Sequence, residues 1–203
     1  YIEFVPFRTL FRSEFMIVEP IKDKKKINDF LTFLKGKNER DWIMAKFQLN
    51  TGLRISDVVK VKVSDILTEK FNFKDYFVLK EQKTNKEKKI KLNDSIKIAL
   101  SSYIKQNKLG HNNYIFRSRK GLNEHISVTQ AYRLLKNAAV SIGIENFGTH
   151  SLIKTWGYWT YKVSRYNIGL IMDTFNHSSQ EITLRYIGID QGAKDELYSL
   201  VQF

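Results

Sequence analysis

Apolar residues recur at helical spacing over most of the chain. Ile27, Phe30, Leu31 and Leu34 fall on one face of a helix that the charged run 22–26 leads into, and Gly36 is placed to end it. A second helix is predicted over 39–50, with Trp42, Ala45 and Leu49 on one side. Thr51-Gly52 should stop it, because glycine adopts the left-handed conformation at a helix C-terminus without steric cost. A short helical segment follows over 54–59. The period then changes. YFVL (76–79) and KKIKL (88–92) read as strands and the polar stretch 82–87 between them as a turn, which makes a β-hairpin. Helices resume at 94–106, with Ile96, Ala99, Leu100 and Tyr103 facing inward. Ser127 and Gln130 have the spacing of a capping box, and Ala131, Tyr132, Leu135, Ala138, Ala139 and Ile142 form a helical stripe after them. Four more helices are predicted over 150–161, 165–174, 179–187 and 193–201. Residues 1–17 (YIEFVPFRTLFRSEFMI) show no period and read as an N-terminal arm. No internal repeat and no Pro-, Gly- or Ser-rich linker divides the remainder. The pattern is therefore one mainly α domain with a small antiparallel β-sheet over 18–203.

Composition narrows the function. A length of 203 residues is enough for one domain with a full-sized core, and 42% hydrophobic and 13% aromatic residues set the chain apart from disordered sequences. The absence of cysteine excludes disulfides and Cys-based zinc sites and fits a reducing compartment. No apolar run reaches bilayer length and the start does not read as a signal peptide, so no membrane role is expected. Lys plus Arg total 34 against 21 Asp plus Glu, a net charge of +13. Such an excess points to a polyanionic partner, with nucleic acid ahead of an anionic membrane surface, against the plainer alternative of a Lys-rich soluble surface. No Gly-rich phosphate loop is present. The histidines at 111, 125, 150 and 177 lack HExxH spacing, and no acidic cluster suggests a two-metal nuclease, so no metal is expected.

Four segments carry the candidate chemistry: TGLRISD (51–57), EQKTNKEKKIKL (81–92), GTHSLIKT (148–155) and FNHSSQEITLRYIGI (175–189). In this order they resemble the catalytic motifs of the tyrosine recombinase (phage integrase) family. The likeness covers about residues 18–203, and its first and last segments are the most distinctive. Type IB topoisomerases share the constellation, but the local motifs here resemble the integrase branch. The resemblance implies the α-rich recombinase catalytic fold. It also implies cleavage and rejoining of DNA strands through a covalent 3′-phosphotyrosine, without cofactor or metal. The partners implied are double-stranded DNA, further copies of the chain on DNA, and accessory DNA-bending or directionality factors. The setting implied is the cytoplasm of a bacterium, with a phage or mobile element as the origin. Family members carry a helical DNA-clamping domain ahead of the catalytic one, for which 1–17 is too short. Together with the start at Tyr1, this suggests an excised domain or a naturally short relative. The family's C-terminal helix often docks on a neighbouring protomer, so 193–203 is a candidate exchange segment. Its Leu197, Leu200 and Val201 suit packing at home equally well.

By resemblance, Arg54 matches the first catalytic arginine, and Asp57, three positions on, is placed to orient it or its neighbours. A planar, permanently charged guanidinium suits the negative charge that gathers on non-bridging phosphate oxygens in the transition state. Lys83 matches the hairpin lysine that protonates the leaving sugar oxygen, with Lys86 an open alternative. Around it Lys80, Lys86, Lys88, Lys89 and Lys91 are candidate DNA-binding residues; a solvated, lysine-protected strand edge is the plainer account of them. His150 and His177 match the two family histidines, and Ser178 with Glu181 has capping-box spacing ahead of the helix bearing Tyr186, the matching nucleophile. One position departs from the pattern. Three residues after His150, where the family has its second arginine, stands Ile153; Lys154 lies one step further. An isoleucine offers no donor to a phosphate oxygen. Two readings therefore remain open: an active recombinase, and an integrase-like DNA-binding protein with impaired catalysis.

Overall fold

A computed structural model describes residues 18–81 and 85–189, together with 195, 198 and 199. The arm 1–17, Lys83 and most of the predicted terminal helix 193–201 lie outside the described residues. The described elements run α1 (Lys24–Lys37), α2 (Glu39–Thr51), α3 (Ile55–Val58), α4 (Val63–Ile66), β1 (Phe77–Lys80), β2 (Glu87–Ile90), α5 (Asp94–Gln106), α6 (Val128–Ser141), α7 (Ser151–Val163), α8 (Ile168–Phe175) and α9 (Gln180–Tyr186). No described helix is long and apolar enough to cross a membrane.

Most predicted elements are present, with shifted ends. Gly36 does not end α1; the helix runs past it to Lys37. Asn38 is the real break. Its extended backbone (φ −162°) leaves its N–H bonded to Leu34 O at 2.8 Å, while its side chain accepts from Asp41 N at 3.3 Å to start α2. One residue thus closes one helix and opens the next. Helix α2 is central, packing against α1, α5 and α7, and is buried on more than one side: Ile43, Met44, Ala45 and Phe47 are all fully enclosed. The predicted face of Trp42 and Leu49 is only partly buried. Gly52 does end α2 in the left-handed conformation (φ 64°), as expected. The short helix α4 had no periodic signal because four residues span barely one turn.

The hairpin pairs β1 and β2 antiparallel, with Phe77 opposite Ile90 and Leu79 opposite Lys88. Along β2 exposure alternates: Glu87 and Lys89 are exposed, Lys88 and Ile90 half-buried. That is the period of a strand with one face inward. From α7 onwards the chain builds a second apolar cluster of Ile153, Ile171, Phe175 and Ile187, against which Tyr186 packs. It forms the floor of the site described next. Gly157 makes room for it inside α7, since a Cβ there would lie 2.7 Å from Ile187 Cγ2 and 2.8 Å from the Phe175 ring. The cap of α9 is Ser179, whose side chain accepts from Ile182 N, one residue later than the Ser178 predicted.

Candidate active site

Arg54 enters the site because Gly52 turns the chain out of α2. Two residues on, Arg54 sits in extended conformation at the start of α3, and its Nη1 donates to Glu81 Oε1 at 3.1 Å. Asp57 is buried on α3, and the guanidinium of Arg54 makes an ion pair with Glu81. Glu81 lies just after β1 and is only 4% exposed. In the sequence it opens the segment EQKTNKEKKIKL, where lysines outnumber acids. Lys88 reaches the same carboxylate from β2: its Nζ stands 3.5 Å from Glu81 Oε1 and donates to Thr174 O at 3.0 Å. Burial lowers the Lys88 pKa, while Glu81 opposes the shift through its charge and hydrogen bond.

His150 occupies the N-cap position of α7 without a side-chain capping bond. Its ring centroid lies 6.3 Å from that of Tyr186. His177 follows the left-handed Asn176 (φ 55°) that ends α8, and its ring is 5.1 Å from Tyr186. Its Nδ1 is 3.0 Å from Thr183 Oγ1, and that hydroxyl donates to Ser179 O at 3.1 Å. With the hydroxyl proton spent, Thr183 accepts from Nδ1–H, leaving Nε2 to carry the lone pair of the neutral ring. Burial, and after it the Arg54 charge, push the His177 pKa below the usual histidine value, which favours that neutral form. Tyr186 is the last residue of α9. Burial pushes its phenol up to about 12, with Arg54 pulling the other way.

Arg54, Glu81, Lys88, His150, Ile153, His177 and Tyr186 line one cavity of about 260 Å³. Ile153 contributes methyl groups to its wall and is only 3% exposed. Lys154 does not line it. Its Nζ donates to Val18 O at 2.7 Å and lies 5.2 Å from the Tyr186 ring centroid. Burial lowers its pKa as well, against the charge of Glu19. Lys86, Lys88, Lys89 and Lys91 border an adjoining open groove of about 590 Å³. Lys80, Lys86, Lys89 and Lys91 are exposed, and Lys86 Nζ donates to Asn176 Oδ1 at 2.8 Å. Among the described residues no three His, Asp or Glu side chains gather as a metal ion would require.

The Phage integrase family profile matches residues 22–192. The Probable integrase/recombinase YoeC of Bacillus subtilis (strain 168) is 39% identical over 184 residues, covering 91% of this chain and 97% of that protein. The Tyrosine recombinase XerC of Caldanaerobacter subterraneus subsp. tengcongensis is 26% identical over 157 residues, covering 75% of this chain but 42% of that protein. The chain thus spans nearly all of the first relative and about half of several longer ones. Among solved structures, XerA recombinase superposes with a TM-score of 0.71 at 16% identity, over 92% of this chain and 66% of that one. A lambda integrase (75-356) dimer bound to a COC′ core site gives 0.63 at 15% identity, over 84% and 59%. Identities this low speak for the fold; the profile and the near-full-length relative speak for descent. On both counts the chain belongs to the phage integrase family and is built as a tyrosine recombinase catalytic domain.

Proposed function

We propose that this domain cuts and rejoins DNA strands with Tyr186 as nucleophile. One observation supports the reading: side chains from distant parts of the chain, Arg54, His150, His177 and Tyr186, border a single cavity. The Tyr186 oxygen bonds to phosphorus as the bond from phosphorus to O5′ breaks, giving a 3′-phosphotyrosine and a free 5′-hydroxyl. The phenol proton passes to the Nε2 lone pair of neutral His177, and O5′ takes a proton from the hairpin lysine, Lys83 by family resemblance. Attack by a 5′-hydroxyl reverses the step, so no external energy source is needed. Arg54 stabilises charge on the non-bridging oxygens. Orientation rather than prior ionisation activates the tyrosine, because a phenol at about 12 is protonated at neutral pH.

Double-stranded DNA as partner is supported by the +13 charge and the lysine-bordered groove beside the cavity. Self-association on DNA is supported by the family, whose lambda integrase has been seen as a dimer on a core site and a tetramer on a Holliday junction. A second reading, a DNA-binding relative that grips without cutting, draws on buried Ile153 in place of a guanidinium. A nicked suicide duplex separates the two. Once cleaved it loses the short fragment that would reseal it, so an active enzyme accumulates as a denaturation-resistant protein–DNA adduct. Tight DNA binding without any adduct supports the second reading.

A further inference from the structure

We propose that Lys88, on the inward face of β2, supplies the second positive charge at the scissile phosphate, in place of the guanidinium that position 153 lacks. The inference rests on the cavity being the phosphodiester site. It concerns a lysine that the sequence places in an undifferentiated basic run.

Strand alternation singles Lys88 out. Glu87 and Lys89 are exposed, while Lys88 turns inward and lines the cavity with Arg54, His150 and Tyr186. Its ammonium is held from two sides, by Thr174 O at 3.0 Å on α8 and by Glu81 Oε1 at 3.5 Å. Arg54 Nη1 bonds that same carboxylate oxygen at 3.1 Å. Two cations converging on one oxygen are near enough to share one phosphate. An ammonium carries three donors, so one remains after these two contacts.

Among the described residues, two other lysines near the cavity are engaged elsewhere. Lys154 Nζ is bonded to Val18 O, and Lys86 Nζ is exposed and bonded to Asn176. Ile153 belongs to the apolar floor with Ile171, Phe175 and Ile187. Among the described residues, Arg54 and Lys88 are therefore the cations lining the cavity, with Glu81 the carboxylate that lines it. Burying an ammonium is costly without compensation. Glu81 offsets that cost in part, and a bound phosphate would offset the rest.

The alternative is a tie that only straps the hairpin to α8. Titration with inorganic phosphate, followed by calorimetry at low ionic strength, separates charge from strap. Lys88→Met keeps the stem and removes the charge; Lys88→Arg keeps a cation; Lys120→Met, on an exposed loop away from the cavity, controls for general surface charge. The expected result is at least tenfold weaker phosphate binding for Lys88→Met, near-wild-type binding for Lys88→Arg and no change for Lys120→Met. Adding Ile153→Arg to Lys88→Met should restore binding. If Lys88→Met is too unstable to measure, Glu81→Gln/Lys88→Met is compared with Glu81→Gln, which leaves no unbalanced carboxylate. Equal binding by wild type and Lys88→Met, or no phosphate binding by wild type, overturns the proposal. So does a Lys88→Met protein that forms DNA adduct at the wild-type rate, a result that would leave strand cleavage itself intact. Lys88-dependent phosphate binding without any adduct would do the opposite, sinking the cleavage reading while this assignment stands.

Discussion

Tyr186 and His177 make a pair whose protonation states are set by their surroundings. The phenol is held protonated by burial, and the imidazole is held neutral by burial and by Arg54. If His177 takes the phenol proton, protonating it in advance removes the acceptor. Adduct formation should then fall as the pH is lowered from about 7.5 towards 5, below the ordinary histidine pKa of about 6.5. The direction is diagnostic. A His177 that served by donating to the phosphate would be favoured by protonation, and the rate would climb over the same range. Single-turnover adduct rates in constant-ionic-strength buffers decide it, and a rate rising towards pH 5 would remove His177 from the role of base.

At the scale of elements, the site depends on how closely α7 lets α8 and α9 approach. Gly157→Ala would push a methyl into Ile187 and Phe175, the residues on which Tyr186 rests. Overpacking costs about 1–3 kcal/mol, and alanine returns roughly 1 kcal/mol of helix propensity. Stability should therefore change little while the tyrosine shifts. We expect a small change in Tm beside a large loss of adduct. Unchanged adduct formation in a folded Gly157→Ala protein would show that Tyr186 tolerates displacement. Much of this architecture was legible in the residues. Gly52 marked the turn that presents Arg54, the bounds of α5 coincide with the period read from 94 to 106, and the spacing from His177 to Tyr186 placed both on one cavity. What was not legible depends on tertiary contact. Glu81 and Lys88 sit in a run of charges whose composition reads as solvated, and only the pairing of β1 with β2 turns them inward. Strand alternation through Ile90 was the available signal for Lys88. Gly36 misled because a helix end was set by Asn38, whose side chain could cap the following helix. Ser178 and Ser179 both carry a capping hydroxyl, and sequence alone does not choose between neighbours.

For the whole molecule, two consequences follow from charge. The +13 net charge and the exposed Lys86, Lys89 and Lys91 imply DNA binding dominated by phosphate contacts. The logarithm of the binding constant should fall with the logarithm of salt by about 0.9 per phosphate contact, and replacing these three lysines should flatten the slope by about 2–3. A slope untouched by the triple change would place the DNA elsewhere. Alkali should also unfold the protein. Burial raises Tyr103 and Tyr186 to about 12, so the unfolded chain gives up these protons first. Their contribution to stability is intact below pH 10 and is lost as the pH rises from 10 through 12. Denaturant midpoints across that range check it, and Tyr186→Phe should lessen the loss. The same variant tests strand cleavage through Tyr186 most directly. On a nicked suicide duplex the wild-type domain should yield a denaturation-resistant adduct. Tyr186→Phe, which keeps the ring and removes one oxygen, should yield none while binding the duplex with nearly unchanged affinity. An adduct that persists in Tyr186→Phe would contradict the account.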